Sequence, residues 1–176
     1  MQFSESADEL LDLVDDRDRV IGQMPRSQIY QSGLSNFRVV NAFIINANGQ
    51  LWIPRRTARK QIFPLALDLS VGGHVKSGED YDVAFARELE EELNLKLEQG
   101  SIGDIAPTCL GKLSPNTHGV SAFMKVYEIQ MERSPLYNSQ DFLEAYWLTP
   151  QDLLAKIEAG ENAKDDLPKL VRYFYC

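Results

Sequence analysis

The sequence predicts a single α/β domain whose sheet is covered by helices on both faces, and three observations carry that expectation. The 176 residues match the size of one ordinary domain. Hydrophobic residues make up 44% and charged residues 25%, the balance of a globular chain rather than a disordered or fibrous one. Short β-branched apolar runs alternate with segments of helical period, with no internal repeat and no low-complexity linker.

Residues 1–35 read as an extension, too few to bury a core alone. Residues 10–14 and 19–23 are apolar runs around Asp15-Asp16-Arg17-Asp18, which is the pattern of a hairpin with a polar turn. Pro25 to Tyr30 follow as a helical turn with proline near its start. Residues 36–160 form the core. In it, residues 39–45 are a strand, Asn48-Gly49 is a strong hairpin-turn signal, and Leu51-Trp52-Ile53 is the return strand. Residues 67–71 are a further apolar segment ending at Gly72-Gly73, where the backbone turns sharply or approaches a ligand. Residues 80–95 take helical period, with Val83, Ala84, Leu89 and Leu93 on one apolar side. Residues 102–110, 120–129 and 145–148 read as strands. Thr149-Pro150 starts a helix that runs to about Ala159. Residues 161–176 end the chain with a last helix, apolar at Leu167, Leu170, Val171 and Phe174.

Composition narrows the class. No run of about 18 apolar residues exists, so no transmembrane helix is expected. The first nine residues are acidic and lack the apolar stretch of a secretory signal. Two cysteines, Cys109 and Cys176, cannot build a disulfide framework, so a reducing cytoplasm is the default compartment and Cys109 reads as a small buried hydrophobe. The net charge of −8 disfavours nucleic-acid polymers as partners. That charge is concentrated: between Glu79 and Glu92 lie seven acids and only Arg87 as a base, a local −6 that leaves −2 for the rest of the chain. The opposite sign gathers at Arg55, Arg56, Arg59 and Lys60, with no acid until Asp68; this is either a solvated loop or a patch for anionic substrate groups.

Glu88, Glu91 and Glu92 are spaced i, i+3 and i+4. On a helix such positions share a face, with neighbouring Cβ atoms about 5–6 Å apart. Three carboxylates this close repel unless water screens them or a cation relieves them, and hard oxygen donors suit Mg²⁺, Mn²⁺ or Ca²⁺. Glu90 points elsewhere and reads as solvated. Arg87, beside Glu88, has the fork to pair with Glu79 or to hold a carboxylate in place.

Gly73, Glu79, the run Arg87-Glu88-Leu89-Glu90-Glu91-Glu92 and Leu95 together resemble the Nudix box. The resemblance extends as a strand pattern over about residues 37–159. It implies a Nudix fold, a mixed β-sheet sandwiched between α-helices, here with a short N-terminal hairpin and helix added. The family usually has glycine where this chain has Asn94, and asparagine is the next most tolerant residue of the left-handed conformation needed there. The resemblance implies hydrolysis of a diphosphate linkage in a nucleoside diphosphate derivative or similar small diphosphate, with Mg²⁺ or Mn²⁺. By position, Glu88, Glu91 and Glu92 would be metal ligands, Gly73 would let the backbone approach the metal, and Arg87 would orient a glutamate together with Glu79. One of Glu88, Glu91 and Glu92, or a later glutamate (Glu128, Glu132 or Glu144), would help activate water. Arg55, Arg56, Lys60 and His74 are the candidate substrate contacts, His74 being either a ligand or a brace for its loop. His118 reads as a loop residue. Trp52, Tyr127, Tyr146 and Trp147 read as core, with one of them available to stack on a base. Dimerisation is common in the family.

A looser similarity links residues 13–22, Arg55-Arg56 with Lys60, and Gly73-His74 to the isopentenyl diphosphate isomerase branch of the superfamily. Those isomerases carry a catalytic cysteine where this chain has Gly72, and a histidine-rich metal site where this chain has only His74 and His118. Their essential glutamate after the box has no acidic counterpart at Asn116-Thr117-His118. The expectation is therefore an isomerase-like branch with hydrolytic activity. An isomerase, or a catalytically silent Nudix-fold binding module, is the alternative.

Overall fold

The computed structural model describes residues 8–176; residues 1–7, and with them most of the stretch read as lacking a secretory signal, lie outside the described residues. The extension is an antiparallel hairpin of β1 (Leu10–Val14) and β2 (Val20–Pro25), followed by helix α1 (Arg26–Gln31). Asp15 makes the turn: its Oδ1 accepts hydrogen bonds from the backbone of Arg17 and Arg19, each at 2.9 Å. Leu11 and Ile29 are wholly buried against Phe37 and Ala122, so the extension is welded to the core by apolar contact.

The core sheet contains β3 (Arg38–Ile45), β4 (Leu51–Arg56), β5 (Val71–His74), β6 (Thr108–Leu113), β7 (Phe123–Gln130) and β8 (Phe142–Leu148). Its order is β6-β7-β3-β4-β8, with β5 added antiparallel to β3; the β3–β7 pair is parallel, so the sheet is mixed. Side chains alternate across β3 as strand geometry requires. Val40, Ala42 and Ile44 face helix α2 (Tyr81–Leu93), while Phe43 faces α4 (Pro150–Glu158) and α5 (Asp166–Tyr175). The sheet is sandwiched between helices, as the sequence predicts; His118, expected in a loop, is the last residue of a four-residue helix α3 (Pro115–His118).

The β3–β4 hairpin has a feature that no turn signal shows. Its connection spans five residues around Gly49, at φ +71°, and Asn46 Oδ1 accepts from the backbone of Asn48 and Gln50. Beyond it the two strands share one pair, Ile45 with Leu51, and then splay. Residues 66–70 fill the wedge. Arg56 N donates to Ala66 O and Asp68 N to Pro54 O, each at 2.9 Å, and the Ser70 hydroxyl accepts from Ile44 N at 2.8 Å while donating to Trp52 O at 2.6 Å. The chain thus threads between two strands and emerges as β5, which places Asp68 and Gly72-Gly73 at the centre of the sheet.

Three local expectations need correction. Val83 is 53% exposed; Tyr81 and Phe85 take its place on the apolar side of α2. The strand expected from residue 102 begins at Thr108, because Ile102 and Ile105 close a tight turn on each other around Gly103. Cys109 is exposed rather than buried.

Candidate active site

Helix α2 carries the acidic cluster and is fixed at both ends. Asp80 caps the start, its carboxylate accepting from Val83 N at 2.8 Å. Asn94 ends it in the left-handed conformation at φ +54°, with Leu95 N returning to Leu89 O and Asn94 N to Glu90 O. Asparagine also does what glycine cannot: its Nδ2 donates to Leu136 O at 2.6 Å and ties the helix end to the loop before β8.

Arg87 is the hub. Its Nε and Nη2 grip the two oxygens of Glu79 at 2.9 Å each, Nη2 also reaches His74 O at 2.9 Å, and Nη1 meets Glu88 at 2.8 Å and Glu91 at 3.3 Å. Only a planar fork makes this set of contacts. Burial pushes Glu79 upward, but the Arg87 fork outweighs it and holds the carboxyl below its ordinary range. Glu92 is 6% exposed and accepts from Gly72 N at 3.0 Å. Burial drives its pKa well above the ordinary value, with Glu88 adding repulsion; burial likewise raises Glu88 to about 7 despite Arg87. Glu91 is half-exposed, and Glu90 is exposed and faces solvent.

Gly73 is where the strand touches the helix. A Cβ there would lie 2.1 Å from Glu88 Oε1, so only glycine admits the carboxylate. A Cβ on Gly72 would instead point to Asn41 Oδ1 at 2.9 Å, so the position matching the isomerases' cysteine has no room for a side chain unless Asn41 moves.

These groups open onto a cavity of about 510 Å³. Glu88, Glu91, Glu92, Gly73 and His74 form one wall, and Arg56, Lys60 and Lys164 supply positive charge elsewhere on its lining. His74 packs against Phe37 with its Nε2 2.7 Å from Tyr30 Oη, and burial lowers its pKa to about 3, so it is a neutral brace between the extension and β5. Arg55 does not line the cavity. Strand alternation turns it to the opposite face, where Glu144 and Glu161 hold it at 2.9 and 2.7 Å. The later glutamates are also engaged away from the cavity: Glu128 with Tyr175, Glu132 with Ala47 N, and Glu144 with Arg55. The carboxylates that reach the cavity from outside the helix include Glu9 and Asp141. Its aromatic lining is Tyr30, Phe37 and Phe63, not Trp52, Tyr127, Tyr146 or Trp147. Trp52 and Tyr127 are buried, Tyr127 stacked on Phe85 at 3.9 Å.

Residues 35–170 match the family model described as the NUDIX domain. The chain belongs to the Nudix hydrolase family. It is similar to the Nudix hydrolase all7351 of Nostoc sp., at 56% identity over 168 residues covering 96% of each chain. The crystal structure of DR0079 from Deinococcus radiodurans superimposes with a TM-score of 0.87 at 48% identity, over 96% of this chain and 100% of that one. Likeness to the isopentenyl-diphosphate Delta-isomerase of Kocuria rhizophila is weaker, 23% over 159 residues, 90% of this chain and 87% of that one.

In this Nudix hydrolase the donors fit a hard divalent cation by their chemistry. Glu92 is buried and Glu88 largely so, both with raised pKa values, which is the condition a cation relieves, and the bare Gly73 backbone lets the Glu88 carboxylate lie against the strand. Among the described residues no three acidic, histidine or cysteine side chains converge on one point as they stand. Arg87 accounts for this by drawing Glu88 and Glu91 to itself. The sequence reading missed Asp68 and Lys164. A lone acid inside an apolar segment was the available signal for Asp68, since a buried charge needs partners; Lys164 had none.

Proposed function

We propose that this Nudix hydrolase cleaves a diphosphate linkage in a nucleoside diphosphate derivative or similar small diphosphate, with Mg²⁺ or Mn²⁺. The observation that carries the reading is the pair of carboxylates, Glu92 buried and Glu88 largely so, beside a side-chain-free Gly73, on a cavity that also presents Arg56, Lys60 and Lys164. Glu88 and Glu92, with Glu91 turning in from solvent, would hold the cation. Bound there, it would neutralise diphosphate charge and lower the pKa of water near phosphorus.

The chain's own residues do the rest. Arg87 locks the Gly73 loop to the helix through His74 O and Glu79, so strand and carboxylates keep one spacing. Arg56 binds and orients the phosphoryl oxygens, while Lys60 beside it is held by Asp141 at 2.6 Å. Glu91, held by one 3.3 Å contact, has the freedom to turn and accept the water proton. Isomerisation is disfavoured by Gly72, which carries no thiol and whose side-chain position is crowded by Asn41 Oδ1. A silent binding module is disfavoured because every box carboxylate is kept.

The test is Glu88→Gln combined with Glu92→Gln. Metal-dependent cleavage across a panel of nucleoside diphosphate sugars, dinucleotides, coenzyme A, nucleotides and prenyl diphosphates, read as phosphorylated products by chromatography, should vanish. Unchanged cleavage sinks the assignment of the site, and ligand binding without turnover by the natural chain favours the binding module.

A further inference from the structure

We infer that Lys164, on the connection between α4 and α5, is a phosphate-binding residue of the cavity, held to its task by the buried Asp68; this rests on the reading of the cavity as a diphosphate site. Asp68 is 2% exposed, and a carboxylate so buried needs charge partners. It has two. Arg56 Nη1 lies 2.7 Å from Oδ2 and Lys164 Nζ 3.3 Å from Oδ1, while Leu69 N donates to Oδ1 at 2.7 Å. One negative charge shared between two cations leaves one positive charge in surplus, and both cations line the cavity. Lys60, the other lysine of that lining, closes onto Asp141 at 2.6 Å as a one-to-one pair and leaves no such surplus.

The place of Lys164 is set by the backbone. Lys164 N donates to Leu67 O at 3.0 Å and Leu67 N to Asn162 O at 2.8 Å, so the wedge segment that carries Asp68 also sets the register of the α4–α5 connection. The ammonium lies 4.0 Å from the point a Cβ on Gly72 would occupy, whereas a Cβ on Gly73 would strike Glu88. Neighbouring positions of β5 therefore face Lys164 on one side and the carboxylate on the other. A diphosphate lying across Gly72-Gly73 meets the proposed metal-binding carboxylates on one flank and the Lys164 ammonium on the other. Asp68 holds Lys164 as an ion pair at 3.3 Å, and the ammonium has three N–H donors to offer phosphoryl oxygens.

The test uses Lys164→Met, which keeps length and removes charge, and Lys164→Arg, which keeps charge. The probe is methylenediphosphonate with Mn²⁺, measured by titration calorimetry, beside Mn²⁺ alone and a thermal melt. Lys164→Met should weaken diphosphonate binding by at least about tenfold and Lys164→Arg should recover it to within about threefold. Affinity for Mn²⁺ alone and the melting midpoint should stay unchanged. On any diphosphate the wild type hydrolyses, the loss should appear in KM rather than kcat. Unchanged diphosphonate affinity in Lys164→Met overturns the inference, as does a parallel loss of Mn²⁺ affinity or of melting midpoint, or a wild-type protein that does not bind the probe. Wild-type protein that binds the probe but turns over no diphosphate refutes the proposed activity alone, and the equilibrium measurement still decides the role of Lys164.

Discussion

Replacing Gly73 by alanine isolates the contact on which the site depends. The new Cβ would stand 2.1 Å from Glu88 Oε1 and 2.2 Å from its Cδ, where real side-chain carbons keep at least 3.0 Å. The strand cannot yield, because Gly73 is paired with Val40 in the β3–β5 ladder and Arg87 ties the next carbonyl to the helix. The carboxylate must therefore retreat, by roughly 1 Å, and a displacement of that size at a reacting centre costs about 100-fold in rate, or about 2.7 kcal/mol of transition-state stabilisation. Stability should change by less than about 1 kcal/mol, because the displaced atoms are the far end of a side chain that turns toward water and alanine restricts the unfolded chain. The assay is metal-dependent formation of the phosphorylated cleavage products with a parallel Mn²⁺ titration and a urea unfolding curve. Gly22→Ala is the control, since a Cβ there meets nothing within 4 Å. Gly73→Ala with wild-type turnover and metal affinity refutes the reasoning, and so does a loss of activity that merely tracks a loss of folding.

Three further outcomes follow from the same geometry. Arg87→Lys, which keeps the charge but not the fork gripping Glu79 at two points, should lower turnover by about 10- to 100-fold with an intact fold by circular dichroism. Arg55→Ala should leave turnover within about twofold while lowering the urea midpoint slightly, since it strips Glu144 and Glu161 of a partner outside the cavity lining; Arg56→Ala should lose turnover. The metal-free protein should lose stability between pH 5 and 7. Glu88, raised by burial from 4.5 to about 7, keeps its proton in the folded state after the unfolded chain has released it, which costs up to about 3 kcal/mol by pH 7. A melting temperature that rises over that window contradicts this, and Mg²⁺ should restore stability at pH 7.5 more than at pH 5.

The cluster on α2 was legible because its geometry is local. Spacing i, i+3, i+4 places three carboxylates together on any helix, and the glycine, the glutamate and the arginine before them lie within one loop of it. The hairpin extension, the cap at Thr149 and the left-handed Asn94 were legible for the same reason. The basic run was legible as charge but not as direction. Arg55 and Arg56 are neighbours in sequence, yet strand alternation sends one to the α4–α5 face and the other to the cavity. Glu128, Glu132 and Glu144 were equal candidates as a base until pairing with Tyr175, Ala47 and Arg55 took each elsewhere.

The sequence by itself determined the family, the α/β class, the acidic face of α2 and the hub at Arg87, because each depends on contacts within about one helix and the loop before it. Only the tertiary structure decided which charges meet the cavity. Asp68 and Lys164 lie far apart in the chain and become neighbours because β3 and β4 splay, residues 66–70 fill the gap, and the α4–α5 connection hydrogen-bonds to Leu67. Such a juxtaposition depends on how a sheet opens and what packs into the opening, and no periodicity along the chain encodes it.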